Sequence, residues 1–133
     1  MLDAFDNQRH EWFDAAAADA ADIDDDIGRI RLRCAACGHL LTFASQAVAI
    51  AGRIHHHATN PAGFSFRFAT FGTAPGCDVV GAPHAEHSWF PPARWQLAQC
   101  GGCAVHCGWR FRAAAAADFF ALIEQCLVED DEP

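Results

Sequence analysis

Residues 100–111 read Cys100-Gly101-Gly102-Cys103-Ala104-Val105-His106-Cys107-Gly108-Trp109-Arg110-Phe111. A glycine-filled CxxC is followed at once by a short aromatic segment, Gly108 to Arg112, which reads as a strand with Trp109 and Phe111 on one face. A second pair, Cys34-Ala35-Ala36-Cys37, precedes Gly38. Two thiolates separated by two residues fall on a tight turn whose amides point at the sulfurs, and two such turns complete a tetrahedral S4 site. The 62 residues between the pairs (38–99) exceed the usual zinc-ribbon spacing. A metal held by Cys34, Cys37, Cys100 and Cys103 would therefore join distant parts of a sheet. A redox dithiol ordinarily needs one CxxC, and an iron–sulfur cluster would use the same four ligands; with no open position for water, one structural Zn2+ is the preferred reading.

Outward from these knuckles the pattern is mostly of period two. Arg29, Arg31 and Arg33 alternate with Ile30 and Leu32 and run into Cys34, as a strand with one wet face does. Phe64, Phe66 and Phe68 alternate with Ser65 and Arg67 behind the turn residues Asn60-Pro61-Ala62-Gly63. Trp95 to Gln99 reads as another strand. Only near the end does a helical period appear: Asp118 is placed to cap a helix with Phe119, Ile123, Cys126 and Leu127 on one face. The expected class is mainly β with one C-terminal helix.

At 133 residues the chain has room for one core. It holds seven cysteines, four tryptophans, no tyrosine, and nine basic residues that are all arginine. Its net charge of −8 is unevenly spread, since Arg31 to Arg112 contains seven arginines against two acids, Asp78 and Glu86. The acidity belongs to the ends, which points to an acidic, alanine-rich flank at 1–28 that is either solvated or a short helix, a zinc-binding domain at 29–128, and a solvated tail at 129–133. The middle lacks the Lys/Arg clusters of a nucleic-acid footprint. No apolar run reaches the roughly 18 residues of a membrane span, and Met1 to Asp6 has the wrong charge for a secretory leader, so a cytoplasmic location is expected. There, seven cysteines argue for metal rather than disulfides. Cys77, Cys107 and Cys126 read as small buried hydrophobes. The run His55-His56-His57 reads as a solvated loop, because adjacent histidines on a strand point different ways and make a poor metal site.

Trp89, Trp95, Trp109 and Phe111 lie within 23 residues. One reading makes them core alone; yet an indole is seldom fully buried, and two strands with a proline-braced loop would bring three of them into an apolar box. The segment Val80-Gly81-Ala82-Pro83-His84-Ala85-Glu86-His87-Ser88-Trp89-Phe90-Pro91, with Trp95, Ala98-Gln99-Cys100, Cys103 and Gly108-Trp109-Arg110-Phe111, resembles the cereblon-type thalidomide-binding domain, the CULT domain. Asn60-Pro61-Ala62-Gly63 and the first CxxC resemble it too, so that the likeness covers roughly residues 30–128. It implies a β-tent, two antiparallel sheets crossing steeply and pinned by zinc. It also implies a pocket for glutarimide or a related cyclic imide, walled by Trp89, Trp95 and Trp109, closed by Phe111 and rimmed by Asn60 and Phe66. By the same resemblance the His87 carbonyl and the Trp89 amide bond the imide edge, with Ser88 between them. Where some relatives carry tyrosine this sequence has Phe111. The missing lysine, abundant alanine and short chain suit a single-domain bacterial member, with no ubiquitin-ligase adaptor expected.

The function expected is a non-enzymatic module that captures cyclic imides or uracil-like rings, free or as a cyclic imide at a peptide C-terminus. Two alternatives use the same residues. A methionine sulfoxide reductase of the B type would employ Cys107 as nucleophile and need a second cysteine to resolve the sulfenic acid, but the knuckle cysteines are committed to metal. A cage for methylated ammonium would want a carboxylate, and only Glu86 is near.

Overall fold

In the computed structural model, residues 30–131 are described. They form nine strands: β1 (Ile30–Cys34), β2 (Leu40–Phe43), β3 (His55–Thr59), β4 (Ser65–Phe71), β5 (Cys77–His84), β6 (Arg94–Cys100), β7 (His106–Arg112), β8 (Phe119–Ile123) and β9 (Leu127–Asp131). Short 3₁₀ turns occupy Ala44–Gln46 and Glu124–Cys126. A three-stranded sheet has the order β2-β1-β9, and a six-stranded sheet the order β3-β4-β8-β7-β6-β5; every pairing is antiparallel. The mainly β class with two antiparallel sheets is as expected. The flank at 1–28 lies outside the described residues.

The small sheet buries one face. In β1, Ile30, Leu32 and Cys34 are buried while Arg31 and Arg33 are not, which is the alternation a half-wet strand requires. These side chains pack with Leu41 and Leu127 against Ala69, Phe71, Ala98, Cys100 and Leu122 of the large sheet. The large sheet is covered on its other face as well, by Phe68, Trp109, Phe111, Phe119, Ala121 and Ile123 with Phe66, Trp89, Phe90 and Trp95 against them. One core holds the sheets together; the other is an aromatic layer.

Three expectations are corrected. The C-terminal helix capped by Asp118 is a strand pair: Phe119–Ile123 is β8, between β4 and β7, and Leu127–Asp131 is β9. β8 buries Phe119, Ala121 and Ile123 on one face and Leu122 on the other, so that its apolar residues match a helical period without forming a helix. Asp118 instead accepts a hydrogen bond from the Ala113 amide at 3.0 Å and pairs with Arg110 at 2.9 Å. The boundary at 128 cuts β9. Glu129, Asp130 and Asp131 pair with β1, and Asp130 takes the Arg33 guanidinium at 2.7 Å, so this acidic stretch is part of a strand rather than a loose tail. His55, His56 and His57 open β3 rather than a solvated loop; His56 stacks on Phe68 with centroids 5.2 Å apart, and His55 meets Glu124.

Candidate functional site

The first knuckle begins where β1 ends. Cys34 closes the strand, its carbonyl accepts from the Gly38 amide at 2.8 Å, and the Ala36 amide points at its sulfur at 3.4 Å. Gly38 takes φ +83°, a conformation that glycine reaches without strain. The second knuckle repeats the plan at the end of β6. The Cys100 carbonyl accepts from the Ala104 amide at 2.8 Å, and the Gly102 amide points at the Cys100 sulfur at 3.3 Å. Ala104 occupies the left-handed position with φ 67°. Gly101 and Gly102 admit close neighbours: a Cβ at Gly102 would lie 2.9 Å from that of His39, and one at Gly101 2.8 Å from the Gly76 carbonyl oxygen.

The two turns bring Cys34, Cys37, Cys100 and Cys103 together with all four sulfurs within 4.8 Å of one another. Two close contacts cross between knuckles, Cys34 to Cys103 at 3.8 Å and Cys37 to Cys100 at 3.6 Å. Burial works to raise the Cys100 thiol, but the amides of Cys103 and Gly102 and the neighbouring thiols outweigh it and draw it down to about 7. A metal–sulfur distance of about 2.3 Å gives a tetrahedron with edges of about 3.8 Å, so the four donors fit one metal ion. One knuckle belongs to the small sheet and the other to the large sheet.

The remaining cysteines are packed. Cys107 is fully buried, with its sulfur 3.5 Å from that of Cys77. The Cys77 contact and burial push its thiol far up, an unfavourable setting for a nucleophilic thiolate. Cys126 lies in the 3₁₀ turn before β9, where burial pushes its thiol up to about 11.

On the aromatic face of the large sheet lies a cavity of about 330 Å³, lined by Asn60, Pro61, Phe66, His87, Trp89, Trp95, Leu97, His106, Trp109 and Phe111. Trp95 and Leu97 come from β6, Trp109 and Phe111 from β7, and Phe66 from β4. Trp109 stands edge-on to Trp89 at 4.8 Å and to Phe66 at 5.2 Å. Trp89 itself stacks on Phe68 at 5.3 Å. The indole of Trp89 donates to the Thr59 carbonyl at 3.3 Å and that of Trp95 to the Glu86 carbonyl at 2.7 Å, which fixes both rings by their polar edges.

Of the residues singled out in the sequence, Asn60, Phe66, His87, Trp89, Trp95, Trp109 and Phe111 all line this cavity, and Ser88 does not. Ser88 braces the loop from within, donating to the Ala93 carbonyl at 2.6 Å and accepting from the Phe90 amide at 3.2 Å. His87 sits at φ 61°, a left-handed conformation costing a bulky residue about 1–2 kcal/mol. The Asn60 side chain accepts from the Phe64 amide at 2.9 Å and shapes the hairpin between β3 and β4. Glu86 contributes only its carbonyl to Trp95 and is not on the wall.

Sequence reasoning missed Pro61, Leu97 and His106. Leu97 is two residues beyond Trp95, and the strand's period could have found it. His106 was hidden by a bulge: Ala98 pairs with Gly108 and Gln99 with His106, so Cys107 drops out of register and turns into the inter-sheet core. Strict alternation from Trp109 would have put Cys107 on the wall.

No family model matches the chain. Among curated proteins it is similar to cereblon of Danio rerio, 41% identical over 54 residues, and to cereblon of Gallus gallus, 43% identical over 54 residues. Each of these alignments covers 41% of the chain and 12% of the relative. Cereblon of Drosophila virilis is 31% identical over 83 residues, 60% of the chain and 13% of that protein. The chain thus spans about an eighth of the length of these relatives.

Proposed function

We propose that the chain, similar to cereblon over 41–60% of its length, carries a cereblon-type (CULT) domain and is a binding module, without chemistry of its own, that captures cyclic imides or uracil-like rings in the cavity between β4, β6 and β7. One observation carries the reading: three indoles and two phenylalanines wall a single cavity of about 330 Å³ beside a strained loop. A saturated six-membered imide offers methylene faces to such walls and a planar acceptor–donor–acceptor edge to backbone groups. The His87 carbonyl and the Trp89 amide, which enter no backbone hydrogen bond among the described residues, suit that edge. Asn60 and Phe66 form the rim, and Phe111, without a hydroxyl, closes the base by contact alone. A ring of about eight heavy atoms supports affinity in the micromolar range.

The four thiols hold one structural zinc ion in this reading, as their donor set and spacing favour. The test of the ring site is titration of the zinc-loaded chain with glutarimide, thalidomide and uridine, followed by tryptophan fluorescence. Saturable quenching by at least one is expected, lost in Trp89→Ala and Trp95→Ala. Stronger quenching by tetramethylammonium than by any ring, or no saturable response, overturns the reading.

A further inference from the structure

Two of the three cysteines outside the knuckles touch each other. Cys77 opens β5, Cys107 sits in the bulge of β7, and their sulfurs lie 3.5 Å apart although 30 positions and the whole of β6 separate them. Two strand spacings of about 4.8 Å each would hold β5 and β7 about 10 Å apart. Here Cα atoms of the two strands come within 8 Å, and the bulge turns the Cys107 side chain into the inter-sheet core, against which Cys77 also packs. Both are free thiols, and neither belongs to the four clustered donors. Cys100, directly opposite Cys77 on β6, has its sulfur 3.6 Å from that of Cys37 in the other knuckle. That leaves Cys107 as the sulfur in contact with Cys77.

The two thiols differ in access. Cys107 is fully buried, whereas Cys77 is half-buried on the edge strand of the large sheet. A small reagent from solution therefore meets Cys77 first, and Cys107 reacts with what Cys77 has become. A sulfenic acid condenses with a thiol beside it, so a half-buried cysteine backed by a buried one at contact distance converts a first oxidation into a bridge. A bond of about 2.0 Å asks the sulfurs to close from 3.5 Å, a movement that side-chain rotation and a bulged strand can share.

We propose that Cys77 and Cys107 form an oxidation site, at which a hydroperoxide converts the two thiols into a disulfide that clasps β5 to β7. The site does not depend on ring binding. In the first step the Cys77 sulfur attacks the peroxide: the O–O bond breaks, an S–O bond forms, and the leaving oxygen departs with one hydrogen as an alcohol, or as water when the oxidant is hydrogen peroxide. Cys77 is then a sulfenic acid. In the second step the Cys107 sulfur displaces the sulfenic hydroxyl: the S–O bond breaks, the S–S bond forms, and the hydroxyl leaves as water with the Cys107 thiol hydrogen. The two sulfurs together give up two electrons, and the peroxide takes them. The bridge spans the segment that holds Trp89, Trp95 and the second knuckle, and uses none of the four clustered thiols.

The experiment treats the zinc-loaded full chain with stoichiometric hydrogen peroxide, alkylates the remaining thiols in denaturant, and maps the digest by tandem mass spectrometry, with bound zinc followed by metal analysis. The expected product is a peptide pair linked through Cys77 and Cys107, separated by dithiothreitol, with zinc retained until the bridge has formed. In Cys107→Ala no bridge forms and Cys77 is trapped by dimedone as the sulfenic acid. In Cys77→Ala the buried Cys107 stays a thiol under the same treatment. If the pair serves packing alone, Cys77 and Cys107 are both recovered as free thiols, and the assignment is overturned. A bridge from Cys77 to Cys100, or release of zinc before the Cys77–Cys107 bridge appears, overturns it as well. Should either variant fail to fold, the map of the wild type alone decides.

Discussion

Single residues differ here in what their backbone positions tolerate. Gly108 lies in the bulge of β7, where a Cβ would run into the carbonyl of Ala121 on β8, with the Leu122 Cα only 3.0 Å away. Gly81 takes φ +83° but faces open space. Gly108→Ala is therefore expected to cost about 3 kcal/mol through forced separation of β7 and β8, and Gly81→Ala about 1–2 kcal/mol through backbone strain alone. Denaturant unfolding of both variants checks the order, and equal losses would refute it. The bulge also decides which histidine and which cysteine do what. It turns Cys107 into the core and His106 toward the cavity, an exchange that no reading of alternation along β7 could anticipate.

At the scale of elements, β3 shows how burial becomes a pH effect. His56 stacks on Phe68 and stands edge-on to Phe90, each at 5.2 Å. Burial lowers its proton affinity below the ordinary value of 6.5, aided by the charges of Arg53 and His55 and opposed by the hydrogen bond to the Arg53 carbonyl. The folded state then binds fewer protons than the unfolded state around that pH. Its stabilising effect is fully present above pH 6.5 and is lost as the pH falls toward the lowered folded value. The unfolding free energy should decrease from pH 7.5 to 5.5, and less steeply in His56→Gln, with metal content followed in parallel; a slope unchanged by that substitution would count against the assignment. β1, β4, β6 and β7 were legible because each shows period two beside a turn or a knuckle. β8 was not, since a strand buried on both faces has no alternation to read, and β9 was not, since its short acidic run carries no apolar alternation; the apolar spacing from Phe119 to Leu127 fits a helix equally well until its partners are known.

At the scale of the whole molecule, the four-thiol site, loaded with the zinc proposed above, would staple the two sheets together. Cys34 ends β1 of the small sheet, Cys100 ends β6 of the large one, and two of the cavity strands, β6 and β7, flank the second knuckle. Structural zinc contributes on the order of 10 kcal/mol in small domains. Chelation should release one zinc per chain, with cooperative unfolding and concurrent loss of ring binding, as followed by circular dichroism and metal analysis. A melting temperature unchanged by metal removal would refute the staple. What the sequence alone determined were the local matters: the knuckles, the period-two strands, the turns, and the set of aromatic residues that the resemblance assigned to a pocket, because each is written in neighbouring residues a few positions apart. What only the tertiary structure decided was how distant segments meet. The doubly buried β8, the pairing of Arg33 with Asp130, the use of Ser88 as a brace, and the entry of His106 into the cavity all depend on strand partners and register. Those are contacts between residues far apart in the chain, and the pattern within one strand does not contain them.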